Sequence, residues 1–239
     1  MSGHSKWKNI LHKKEKTDSQ RAKIFTKIGR EMAVAVREGG ADASSNSKLR
    51  DCIAKARASN VPNDNIKRII ERASGDGATY ETITYEGYGP SGVAVIVDTM
   101  TDNRNRTAAE MRHYFDKFGG NLGASGCVSW QFDKKGVIVI EKVEGQDEDE
   151  RMLEFVEAGA DDVSADGDVF EVFTDPDDFS SVCEALEALH CTVLSAEVEK
   201  VPQNYIELTS EEDLKNMQKL LDALDDNDDV SSVYHNWDE

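Results

Sequence analysis

Lysine and arginine are the telling residues of this 239-residue chain, because they gather at one end. Residues 1–73 hold 17 of them against 8 Asp and Glu, whereas residues 74–239 hold 11 against 39. The first third is net positive by 9 and the remainder net negative by 28, within a total of −19. Cationic groups collected in this way do one kind of chemistry well: they neutralise phosphates and release their counterions. Lys6, Lys8, Lys13, Lys14 and Lys16 form a basic tail around Trp7, whose ring can stack on a base. Lys23, Lys27, Arg30 and Arg37 fall within an arc of about 80° on a helical wheel. Lys48 and Lys55 recur seven residues apart, as do Arg50 and Arg57.

A separate pair, Arg104 and Arg106, lies in Thr101-Asp-Asn-Arg-Asn-Arg-Thr107, between an expected strand and helix. Free N–H groups at a helix start favour anions, so two cations there work against the dipole. One reading is an anion or partner site. The other is that the two arginines pair with the chain's own abundant acids.

Other chemistries find little support. There is no G-x-S-x-G and no G-x-x-x-x-G-K-S/T, and the five histidines are dispersed without zinc-ligand spacing. No catalytic residue, metal or cofactor is expected. Gly87-Tyr-Gly-Pro-Ser-Gly92 matches G-x-G-x-x-G in letters only, because an apolar strand-like run, Val93–Val97, follows it where a dinucleotide site needs a helix. Gly120-Asn-Leu-Gly123 resembles the G-x-x-G clamp of KH domains, but its setting favours a helix C-cap and a flexible loop. Acid runs such as Glu148–Glu150 and Asp225–Asp229 read as solvated surface. The start of the chain has no apolar core of a secretory signal, and no run reaches the ~18 residues of a membrane span. Four scattered cysteines without C-x-x-C fit a reduced, cytoplasmic protein.

The elements that must position these groups follow from periodicity. Helices are predicted over Ser19–Glu38, Ser47–Ser59 and from Pro62 to Gly75, each with one apolar face, which makes a helical bundle. Strands Tyr80–Gly87 and Val93–Thr99, helix Asn103–Phe118 and strand Cys127–Asp133 come next. A β-α-β-β-α-β series then runs from Val137 to Val198, the split βαβ pattern. Strand Tyr205–Leu208, helix Glu211–Leu224 and strand Val230–Tyr234 close the chain.

The expected fold is therefore α+β and multidomain, a helical bundle followed by two α/β domains of ferredoxin-like type. The pieces flanking the middle unit are each too small to bury a core alone. Insertion of one α/β domain in the other is favoured over three domains in sequence. The divisions are 1–77, 78–133 with 202–239, and 134–201 for the acidic insert.

Five ordered segments, GHSKW, KIFTKIGRE, YEGYGPSG, TDNRNRT and FGGNLGASGCVSWQF, resemble the YebC/PmpR family over essentially the whole chain. That family, which has a mitochondrial branch of translational activators, implies a helical N-terminal domain and two α/β domains, one inserted in the other. It also implies a non-enzymatic cytoplasmic regulator. Its members are described as DNA-binding transcriptional regulators, and some act on the ribosome during synthesis of proline-rich stretches.

Two functions from different classes remain open. A nucleic-acid-binding regulator would lay its basic helices along DNA or ribosomal RNA, on or off the ribosome. About six neutralised phosphates would give a log–log salt slope near −5. A protein-interaction module would instead dock the basic head on an acidic body, its own or that of a second copy in a homodimer. No membrane partner is expected.

Overall fold

The computed structural model describes residues 18–75 and 79–238. Its N-terminal part is three helices: α1 (Asp18–Gly39), α2 (Ser47–Ala58) and α3 (Asn63–Ser74). Helix α1 stops at Gly39-Gly40, and Gly40 takes the left-handed conformation (φ 86°) that glycine tolerates best. Asn46 then joins two helices. Its side-chain oxygen accepts from the Leu49 N–H at the start of α2, while its amide donates to the carbonyls of Ala35 and Gly40. Ile28, Met32, Ala35 and Val36 of α1 bury against Leu49, Ala56, Val61, Ile66 and Ala73. These are the apolar faces that helical periodicity marks.

A four-stranded sheet in the order β3-β1-β2-β9 follows. Strands β1 (Glu81–Tyr88) and β2 (Ala94–Thr101) form an antiparallel hairpin, closed by a 3-10 turn at Pro90–Gly92. The GYGPSG segment is thus a turn between strands. Strand β3 (Asn121–Leu122) pairs with β1, and β9 (Val230–His235) with β2. Helices α4 (Arg104–Lys117) and α7 (Glu211–Asp226) supply Met111, Phe115, Met217, Leu220 and Leu224 to a core shared with the fully buried Val93–Val97.

The second sheet has the order β5-β6-β4-β7, with every neighbouring pair antiparallel. Its strands are β4 (Phe132–Glu141), β5 (Asp162–Asp166), β6 (Val169–Thr174) and β7 (Val193–Pro202). Helices α5 (Glu148–Glu157) and α6 (Phe179–Ala188) cover it, so chain order and sheet order together are the ferredoxin-like arrangement. Its core holds Ile138, Ile140, Phe155, Phe170, Val172, Val182 and Leu186. A short parallel pair, β8 (Ile206–Glu207) and β10 (Trp237–Asp238), completes the described elements.

One predicted strand fails. Alternation of Val128, Trp130 and Phe132 predicts Cys127–Asp133, but Ser129–Gln131 is a 3-10 turn and Trp130 is 69% exposed. The strand begins at Phe132 and runs unbroken through Lys134-Lys135-Gly136 to Glu141. It pairs with β7 from Phe132 opposite Pro202 to Ile140 opposite Val193.

By packing, the described residues form two compact units. One runs through Ser129 and resumes from Leu208 to His235, so it holds both the bundle and the first sheet. The other holds Trp130–Glu207 and the chain from Asn236.

Candidate nucleic-acid interface

Three of the four cations on the basic face of α1 are met by acids of the same chain. Lys23 Nζ lies 2.6 Å from Asp226 Oδ1, and Lys27 Nζ donates to the Asp225 carbonyl at 2.7 Å. Arg30 pairs with Asp229, donates to the Met100 carbonyl at 3.1 Å and stacks over the Tyr80 ring. The acids Asp225–Asp229, which sequence reading places on solvated surface, thus receive three of the four cations in the α1 arc. The fourth, Arg37, donates to the Gly75 carbonyl at 3.5 Å.

Asp229 is the centre of this arrangement. Its side chain is 4% exposed. It accepts from Arg106 at 2.7 Å, from Thr107 at 2.7 Å and from Thr101 at 3.0 Å, as well as from Arg30. Burial pushes the carboxyl pKa up. The donors Arg106, Thr107, Arg30 and Thr101 outweigh that and hold it down at about 2. Of the two readings of the TDNRNRT segment, Arg106 follows the second, for it pairs with Asp102 as well as Asp229. The Asn103 side chain caps α4 by accepting from the Arg106 N–H. Arg104 is exposed, and its charge acts on the Tyr85 hydroxyl, whose pKa burial pushes up and Arg104 pulls down.

The remaining predicted cations divide. Lys48 pairs with Glu38 at 2.7 Å and Lys55 with Glu31 at 3.0 Å, both inside the bundle. The tail residues Lys6, Trp7, Lys8, Lys13, Lys14 and Lys16 lie outside the described residues. Three cations that sequence reading did not single out stand apart. Lys67, Arg68 and Arg72 of α3 are exposed, and no carboxylate among the described residues pairs with them. Their signal was present in the sequence as i,i+4 spacing of Arg68 and Arg72 on a polar flank.

The FGGNLGASG loop is built, not slack. Helix α4 does end in a glycine turn at Gly119 (φ 80°), but Asn121 and Leu122 then pair with β1. Glu86 is buried in β1, and its carboxylate accepts from the N–H groups of Gly126, Val128 and Ser129 at 2.7, 2.9 and 2.8 Å. Burial raises the Glu86 pKa, and these donors bring it below the usual carboxylate range. A Cβ at Gly120 would sit 2.3 Å from the Tyr88 carbonyl oxygen, so backbone contact requires that glycine. The residues of the G-x-x-G look-alike serve the loop's own structure.

Among the described residues, no group of three or more His, Cys, Asp or Glu is placed to hold a metal. No described helix is long and apolar enough to cross a membrane. The described residues thus form a helical bundle and two antiparallel α/β sheets, one of them in the ferredoxin-like order.

The chain belongs to the TACO1/YebC family. Residues 5–76 match the TACO1/YebC protein N-terminal domain, and residues 80–237 match the TACO1/YebC second and third domain. A protein of Ruminiclostridium cellulolyticum named "Probable transcriptional regulatory protein" is 60% identical over 100% of this chain and 97% of its own length. One of the same name from Acetivibrio thermocellus is 57% identical over 99% of each chain. Among solved structures, a conserved hypothetical protein of Aquifex aeolicus is similar with a TM-score of 0.83 and 42% identity, covering 93% of this chain and 92% of that one.

Proposed function

We propose that this protein is a non-enzymatic cytoplasmic regulator that binds nucleic acid through its basic N-terminal third. The observation that carries this reading is the segregation of charge, +9 over residues 1–73 against −28 beyond. A polyanion is attracted to the first third of the chain and repelled by the acidic remainder, without any reading of base sequence. The relatives' name, "Probable transcriptional regulatory protein", supports a regulatory reading. The working division of the chain is a bundle with its tail at 1–77, an α/β domain at 78–133 with 202–239, and an acidic insert at 134–201. In this division the tail and bundle contact phosphate, and the acidic domains keep the remainder off it.

A second reading, a protein-interaction module, is favoured at one place: Lys23, Lys27 and Arg30 are already engaged by carboxylates of the same chain. Crosslinking in cells, followed by sequencing of both DNA and RNA, separates the readings. Discrete promoters among the recovered fragments select the transcriptional role, and ribosomal RNA selects a translational one. Recovery of neither polymer above background rejects nucleic-acid binding and leaves the interaction module.

A further inference from the structure

Helix α3 presents Asn65, Arg68, Ile69 and Arg72 at i, i+3, i+4 and i+7, a spacing that puts all four on one flank. That flank lines an open groove, with Glu71 at its side. Ile69 is half-buried, and it faces Gly29 near the middle of α1. A Cβ at Gly29 would be 3.4 Å from Ile69 Cδ1. The groove therefore has an apolar floor. Its two guanidinium groups carry no carboxylate partner among the described residues, and Glu71 leaves it net positive. At the end of α3, Arg37 donates to the Gly75 carbonyl at 3.5 Å.

We propose that this groove is the phosphate-binding surface of the bundle and takes the sugar–phosphate backbone of a nucleic acid. The inference rests on the nucleic-acid reading above and moves its centre from α1 to α3. Arg68 and Arg72 emerge about 5–6 Å apart, as i,i+4 side chains do, and fork onto neighbouring phosphates of one strand. The Asn65 amide donates to a phosphate or sugar oxygen between them. The Ile69 floor accepts the apolar face of a sugar. Such contacts fix position and do not read bases, so the groove treats sequences alike.

The test uses the full-length protein, a labelled single-stranded RNA and a labelled DNA duplex, with binding followed by anisotropy between about 50 and 200 mM salt. R68Q/R72Q is expected to weaken binding to every sequence alike. It should also reduce the salt slope by about 1.8 on duplex or about 1.4 on single strand. R68K/R72K keeps the charge and should keep the slope while binding less tightly, because the bidentate fork is lost. K215Q/K219Q removes the same charge from α7 and should leave the slope at the wild-type value. The tighter of the two ligands names the polymer. If wild type binds and R68Q/R72Q retains its slope and affinity, the groove is not the site although the broader reading survives. If R68K/R72K loses as much slope as R68Q/R72Q, geometry rather than phosphate neutralisation is at work and the proposal fails. Absence of binding by wild type to either polymer overturns both.

Discussion

Asp229 gathers donors from α1 and from the Thr101–Thr107 segment, and its contribution can be measured by pH. Its carboxyl is held at about 2, against an ordinary value near 3.9. A depressed acid stabilises the fold above its unfolded pKa and loses that contribution as pH falls towards the folded one. Asp229→Asn should lower unfolding stability at pH 7 by about 2 kcal/mol. This is less than the 3–5 kcal/mol typical of a broken buried pair, because Arg106 is 43% exposed and partly screened by solvent. Denaturant melts of both proteins at pH 7, 4 and 2.5 should show the gap closing below about pH 4. A gap that persists at the lowest pH would mean the carboxylate charge is not what holds the segments together. Glu86 gives a parallel case with a local readout. Glu86→Ala removes the acceptor for three N–H groups, and amide exchange at Gly126, Val128 and Ser129 should accelerate while the bundle stays protected. Unchanged exchange there would show that the loop is held by its β3 pairing alone.

At the level of elements, Asn46 shows how one side chain sets a helical connection. It caps α2 and also satisfies two carbonyls at the end of α1. Asn46→Ala should cost about 2 kcal/mol, more than an isolated cap, and should be visible as a lowered thermal midpoint. A loss no larger than a few tenths would reduce Asn46 to an ordinary surface cap. The three bundle helices were legible in sequence because each has a single apolar stripe ended by Gly or Pro. Strand β4 was not, because it mixes two patterns. Val137–Ile140 is buried on both faces and reads as a strand by itself, whereas Lys134 and Lys135 look like a linker. Gly136 strengthens that impression, yet it is a packing position: a Cβ there would come 2.3 Å from Thr174 Oγ1 and 2.5 Å from the Phe179 ring. Pairing with β7 over the whole length overrides the local signal.

For the molecule as a whole, charge segregation was legible and its internal use was not. A helical wheel locates the cations of α1 but cannot say that Asp225–Asp229 will fold against them. Those acids lie about 200 residues away, with Lys23 and Asp226 separated by 203. The cations of α3, which pair with no carboxylate among the described residues, stand beside Glu71 in the sequence, so their local charge looks balanced. The contact also makes a prediction about binding. D225N/D226N should change stability by less than about 0.5 kcal/mol, because the acids are well exposed. It should also free Lys23 from its side-chain partner, whereas Lys27 keeps the Asp225 carbonyl, so nucleic-acid affinity should rise and the salt slope steepen by about 0.9. A titration against labelled duplex and RNA checks this, and an unaltered slope would mean Lys23 stays out of reach even when freed.

The separation between Lys23 and Asp226 has a temporal side. A chain is made from its N-terminus at about 5–20 residues per second, so α1 exists for roughly 10–40 seconds before the last turn that neutralises it is polymerised. Throughout that interval Lys23, Lys27 and Arg30 lack the carboxylates that meet them in the finished fold, and a product cut short before residue 225 never acquires them.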